Sequence, residues 1–150
     1  MGEPWPYGLP IFRRAHRATS PEGRFVAEVD HAWEVSMSGP TVGTLRISSG
    51  LVLERCNPSF VWSDDSRYLA VPQYFHRWGV LRVQRLVVVD VIARRGLASP
   101  ETAWLFQLES FSSGALVVTK EPLSRRTRLT WGVPEDLAQF TNVTVDRAHV

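Results

Sequence analysis

The fold is decided by residues 60–71, which read Phe60-Val61-Trp62-Ser63-Asp64-Asp65-Ser66-Arg67-Tyr68-Leu69-Ala70-Val71. Two short apolar runs flank a Ser-Asp-Asp-Ser segment. Ser and Asp are common in tight turns because their side chains bond nearby backbone N–H groups. The stretch therefore predicts a β-hairpin. Further along, Leu86–Val91 is an almost continuous apolar run, which is typical of a strand covered on both faces.

A similar pattern occurs 43 residues earlier, because residues 20–29 align with residues 63–72. Each copy has a polar turn, then Arg, an aromatic residue, an aliphatic residue and Ala. The same offset aligns residues 41–48 with residues 84–91, and agreement of two matches at one offset indicates a repeated unit. A weaker third copy begins near Phe111.

These alignments predict one domain with four parts. They are a Pro- and aromatic-rich N-terminal segment (1–19), a first repeat (20–62), a second repeat (63–105), and a degenerate third unit with the C-terminal segment (106–150). Ten Pro and ten Gly argue against long helices. Only Val133–Phe140 looks helical, with Pro and two acidic residues in its first turn. Residues 99–108 fit a helix start or a strand.

Residues 60–70 and 86–90 together resemble one blade of a β-propeller, in which a hairpin around a polar turn precedes an apolar strand that ends in Asp. A closed propeller needs at least about four blades of about 40 residues, which is more than this chain supplies. The resemblance therefore implies an all-β fold of antiparallel, blade-like β-meanders that form a small sandwich or open barrel, with one short C-terminal helix. In size and style the chain also resembles bacterial toxin-immunity proteins, a resemblance of type.

Charge and composition exclude several classes of function. The 17 basic and 15 acidic residues leave a net charge of +2, without the single-sign field that nucleic-acid binding usually needs. The basic cluster of Arg13, Arg14, His16 and Arg17 is either a solvated leader or a phosphate site. No apolar stretch has the length of a signal peptide or a membrane span. We therefore expect a cytoplasmic protein without membrane contact.

No pattern of catalytic or metal-binding residues is present. The four histidines lack metal-ligand spacing, and the phosphate-binding and Ser-hydrolase motifs are missing. Cys56 is the only cysteine, so an internal disulfide is excluded. We interpret it as a buried thiol rather than a nucleophile. We predict no catalytic residue, no metal site and no cofactor.

The candidate binding residues lie in two segments that we interpret as loops inserted at the same point of each repeat. The second segment supplies Tyr74, His76, Arg77 and Trp78, and the first supplies His31 and Glu34. Aromatic residues and Arg dominate the energetics of protein interfaces. The alternative is that Trp33 and Trp78 are core residues shared by both repeats.

The function predicted from these residues is a non-enzymatic protein-binding module. Its most specific form is a cytoplasmic immunity or inhibitor protein that neutralises a toxin domain by direct binding. The alternative is a small enzyme or ligand-binding β-domain with a site assembled from His31, Glu34, His76 and Asp64.

Overall fold

The structure is a computed structural model that describes residues 16–34, 41–77, 81–121 and 125–147, and its regular secondary structure is almost entirely β-strand. The strands are β1 (His16–Thr19), β2 (Val26–Glu34), β3 (Thr41–Ile47), β4 (Leu51–Cys56), β5 (Val61–Trp62), β6 (Tyr68–Arg77), β7 (Leu81–Asp90), β8 (Arg95–Ala103), β9 (Phe106–Ser112), β10 (Ala115–Lys120), β11 (Thr127–Gly132), β12 (Thr141–Val143) and β13 (Asp146–Arg147). The C-terminal helix is the short 3-10 helix Glu135–Gln139. The predicted all-β fold with one short helix is confirmed.

The strands form two antiparallel sheets. The larger sheet has ten strands in the order β1-β2-β3-β4-β6-β7-β8-β12, with β5 paired to β6 and β13 paired to β4. The smaller sheet has the order β11-β10-β9. Residues 99–108, which fit two interpretations, belong to the end of β8 and the start of β9.

Both predicted hairpin turns are present and have the same hydrogen bonds. The hydroxyl groups of Ser20 and Ser63 accept hydrogen bonds from the backbone N–H groups of Phe25 (3.1 Å) and Tyr68 (3.0 Å). The fourth residue of each turn, Gly23 or Ser66, has a positive φ of 81° or 65°. The two turns therefore have one geometry, while their derivation from propeller blades stays a prediction.

Strand β7 lies at the centre of the core, as its apolar sequence predicts. Leu86 and Val88 belong to a cluster that includes Phe106, Leu108, Leu116 and Val118 of the smaller sheet. Val87 and Val89 belong to a second cluster, with Val29, Leu45 and Leu53 of the first repeat. All four β7 residues are buried. Because complete burial of one Val or Leu side chain contributes about 1.5–3 kcal/mol, this strand stabilises both faces of the larger sheet.

Candidate functional site

The β6–β7 hairpin extends beyond the strands that flank it. It is paired without interruption from Tyr68–Asp90 to Arg77–Leu81. Strand β8 accompanies β7 only as far as the Gln84–Ala103 pair, and β4 meets β6 only at the Cys56–Gln73 pair. Residues 75–77 and 81–83 are therefore paired only with each other within the described sheet. We call this projecting part of the hairpin the arm.

A shorter projection occurs in the first repeat. The last pair between β3 and β4 is Gly43–Cys56, whereas β2 and β3 continue to the pairs Trp33–Val42 and Glu34–Thr41. The register between β2 and β3 shifts after Asp30, so the pairing resumes at Trp33. Both repeats thus carry a hairpin that extends beyond its neighbouring strand, and the projection is longer in the second repeat.

The structure places the predicted binding residues in strands rather than loops. Tyr74, His76 and Arg77 lie in β6, and His31 and Glu34 lie in β2, with β3 and β4 between these two strands in the sheet. Trp78 lies outside the described residues. The reason for the difference is that the pairing of β6 with β7 continues through the segment that the sequence suggested was an insertion. Their role in partner binding stays a prediction.

Tyr74 differs from the role expected of it because its side chain is only 7% exposed. It offers little accessible surface to a partner. Phe75, the next residue, is half-buried. Its ring makes a cation–π contact with Arg85, whose guanidinium carbon lies 4.7 Å from the ring centroid.

The base of the arm is held by a chain of polar contacts. The Nε of Arg85 donates a hydrogen bond to Oε1 of Gln73 at 2.9 Å, and Nε2 of Gln73 donates to the carbonyl oxygen of Glu54 at 2.9 Å. Burial lowers the pKa of Arg85, and the nearby charge of Arg55 acts in the same direction. Arg85 therefore connects β7, β6 and β4 at the point where the arm leaves the sheet.

Of the four residues suggested for the alternative site, Asp64 lies far from His76. Asp64 lies in the β5–β6 turn, where its Oδ2 accepts a hydrogen bond from the backbone N–H of Ser113 at 2.9 Å. His76 lies near the other end of β6, eight residues beyond Tyr68. At about 3.3 Å per residue of strand, the two residues are separated by more than about 25 Å.

A cleft that the sequence did not indicate lies at the opposite end of the β6–β7 hairpin from the arm. Its volume is about 490 Å³, and its lining includes Arg67, Tyr68, Asp90, Arg95 and Asn142. The lining residues come from β6, β7, β8 and β12, from the loop before β6, and from the 3-10 helix with its flanking residues. The Asp at the end of an apolar strand was the one signal of this site in the sequence.

Asp90 is the most completely bonded carboxylate of the cleft. Its Oδ1 accepts hydrogen bonds from the backbone N–H groups of Ile92 (3.1 Å) and Ala93 (2.9 Å) and from Nε of Arg67 (3.3 Å), and its Oδ2 accepts from Nη2 of Arg67 (3.1 Å). The Asp90 side chain is 3% exposed and that of Arg67 is 48% exposed. The hydrogen bond to Asp90 raises the pKa of Arg67. The ion pair is therefore fixed on the carboxylate side and open to solvent on the guanidinium side.

Two further findings concern the chemically reactive side chains of the described residues. Cys56 is buried, as expected, and burial raises the pKa of its thiol far above the usual value. In residues 16–34, 41–77, 81–121 and 125–147, no three His, Cys, Asp or Glu residues are grouped so that they could hold a metal ion. The same ranges contain no helix long and apolar enough to cross a membrane.

Comparison of this chain with protein-family models, with curated proteins and with solved structures gave no match.

Proposed function

We propose that this protein is a non-enzymatic protein-binding module that acts as a cytoplasmic immunity or inhibitor protein and binds a cognate bacterial toxin directly. The arm is the observation that supports this proposal most strongly. It joins a projecting backbone to residue types that are frequent in protein interfaces, namely Phe75, His76, Arg77 and Trp78 in sequence.

The dimensions of the arm suit insertion into a partner. Three residue pairs, from Phe75–Val83 to Arg77–Leu81, extend beyond Gln84. At about 3.3 Å per residue these three pairs extend about 10 Å beyond Gln84. This reach is enough to enter an active-site cleft of another protein.

The backbone of the arm offers a second means of recognition. Because residues 75–77 and 81–83 are paired only with each other within the described sheet, each strand of the arm has one edge without a neighbouring strand. Such edges can pair with an extended segment of a partner, as in recognition by strand addition. The braced base at Arg85 limits the conformational freedom that binding must remove, which favours affinity.

The proposal is tested with a variant that lacks the outer arm. Residues 76–82 are replaced by Asn-Gly, a pair suited to a two-residue turn, so that Phe75 and Val83 stay paired. Tagged wild-type protein should capture from its host a toxin encoded beside its gene, and co-expression should suppress the activity of that toxin. The arm-shortened protein should fold, as judged by circular dichroism and melting temperature, but fail in both assays.

The matched control is Trp104→Ala, because Trp104 is an exposed tryptophan (41%) outside the arm. This variant should capture and suppress the toxin as the wild type does. Suppression by the arm-shortened protein at the wild-type level would contradict the proposal.

A further inference from the structure

The cleft at the other end of the β6–β7 hairpin is separate from the arm. Tyr68 and Asp90 form the first pair of the hairpin, and Arg77 and Leu81 form its last described pair. Arg77 follows Tyr68 by nine positions along β6, which is about 30 Å. A ligand of the cleft therefore does not contact the arm.

The lining residues are brought together by the strand register. Tyr68 pairs with Asp90, and Asp90 pairs with Arg95, so these three side chains lie in one row on one face of the sheet. Leu97 is two positions beyond Arg95, and Asn142 of β12 pairs with Leu97, which places both on the same face. The row gives the cleft a hydrogen-bonding wall above an apolar floor.

The apolar floor consists of Leu97, Leu137 and Phe140, which are buried and line the cleft. The aliphatic part of a ligand can pack on this floor while its polar group reaches the row of Tyr68, Asp90 and Arg95.

Two arginines that line the cleft, Arg67 and Arg95, have N–H donors that no described hydrogen bond uses. The oxygens of Asp90 already accept four hydrogen bonds. Arg67 uses Nε and Nη2 for Asp90, which leaves Nη1 available, and its guanidinium carbon lies 5.3 Å from the Tyr68 ring centroid. Arg95 is exposed and takes part in none of the described ion pairs. Burial raises the pKa of the nearby Tyr68, and the charges of Arg67 and Arg95 act in the opposite direction.

We propose that this cleft is a binding site for a monoanionic carboxylate on a short aliphatic chain, held by Arg95 and by the free edge of Arg67. Arginine binds planar carboxylates through two parallel hydrogen bonds. A phosphate monoester would suit the cleft less well. The charges of Arg67 and Arg95 are balanced by those of Asp90 and Glu135 in the lining, and a phosphate ester adds about −1.5 to −2 charges at neutral pH.

Titration of the isotope-labelled full chain, followed by NMR of the backbone amides, tests this site. The probes are N-acetylglutamate α-amide, its neutral counterpart N-acetylglutamine α-amide, butyrate and inorganic phosphate. The glutamate derivative should shift the amides of Arg95, Leu97 and Asn142 in a saturable way. The glutamine derivative should not do so. Tighter binding of the glutamate derivative than of butyrate would identify an acidic side chain of a polypeptide as the ligand, and equal binding would identify a free acid.

The variant Arg95→Gln should weaken binding of the glutamate derivative about tenfold, the effect of losing one charge-assisted hydrogen bond. The matched control is Arg46→Gln, which removes another exposed strand arginine and should leave binding unchanged. The arm-shortened protein should also bind as the wild type does, so failure of the arm proposal and failure of this site are distinguishable. Equal effects of the two Arg→Gln variants, saturable binding of the glutamine derivative, or tighter binding of phosphate than of the acid would overturn the proposal.

Discussion

Ser20 and Ser63 occupy equivalent positions in two turns that are 43 residues apart, and each hydroxyl accepts a hydrogen bond from the backbone N–H five residues later. The turns also contact each other, because the backbone N–H of Glu22 donates to the hydroxyl of Ser66 at 2.8 Å. The second turn is also bonded to a third turn, between β9 and β10, because the backbone N–H of Ser113 donates to Oδ2 of Asp64 at 2.9 Å. The middle turn therefore connects all three.

Ser63→Ala should destabilise the protein more than Ser20→Ala. The Ser63 hydroxyl also donates to Oδ1 of Asp65 at 2.5 Å, so its removal loses two hydrogen bonds in the central turn. We expect losses in the free energy of unfolding of about 1–3 kcal/mol for Ser63→Ala and about 1 kcal/mol for Ser20→Ala, measured by urea denaturation. The control Ser112→Ala changes an exposed serine. A loss for Ser63→Ala no larger than that of the control would show that the turn bonds contribute nothing.

Val89→Asp should prevent stable folding. Val89 is 1% exposed at the centre of the larger sheet, and an aspartate there would bury a charge without a partner. The control is Ile92→Asp, three residues later, because Ile92 is 51% exposed. Thermal unfolding followed by circular dichroism should show a lost or strongly lowered transition only for Val89→Asp. A normal melting temperature for this variant would remove β7 from the core.

Cys56 should make stability fall at alkaline pH. Burial raises the pKa of the folded thiol, so the folded state keeps a proton that the unfolded state loses. This contribution is fully present below the usual thiol pKa and falls by up to about 1.4 kcal/mol per pH unit above it. The advantage of wild type over Cys56→Ala should therefore narrow by about 1.5–2 kcal/mol between about pH 8 and about pH 10. A constant difference in the free energy of unfolding over this range would show that the folded thiol ionises normally.

Arg67→Met should destabilise the protein although Arg67 is half-exposed. It leaves the nearly inaccessible carboxylate of Asp90 with only the two backbone donors of Ile92 and Ala93. Because solvent screens the exposed side of the pair, we expect a loss of about 1–2 kcal/mol in urea denaturation. Arg95→Met, which breaks no described ion pair, should change the stability by less than about 0.5 kcal/mol. Equal stabilities of the two variants would mean that the Arg67–Asp90 pair is not a structural contact.

The sequence predicted features that depend on local pattern. The turns at Ser20 and Ser63 and the doubly covered strand β7 follow from turn-forming residues and from an uninterrupted apolar run, both of which are local. The length of β6 was not predicted, because Tyr74–Arg77 lacks the alternation of apolar and polar residues that marks a strand. Tyr74 belongs to the paired part of β6 and is buried, although its segment looked like an exposed loop.

The cleft could not be predicted because it depends on pairing between distant strands. Arg95 and Asn142 come together only because β12 pairs with β8, and no local pattern near Thr141–Val143 specifies that partner. The same holds for β13, which pairs with β4 although only two residues separate it from β12. The C-terminal segment thus links the two repeats by contacts that only the folded chain defines.

The proposal that the arm binds a toxin is tested most directly by the dissociation constants of wild-type protein, the arm-shortened variant and Trp104→Ala for the purified toxin encoded beside the gene. Loss of an interface anchor costs at least about 2 kcal/mol, so the arm-shortened variant should bind at least about 30-fold more weakly at an unchanged melting temperature. Trp104→Ala should bind within about twofold of the wild type. Wild-type affinity of a folded arm-shortened variant would contradict the account.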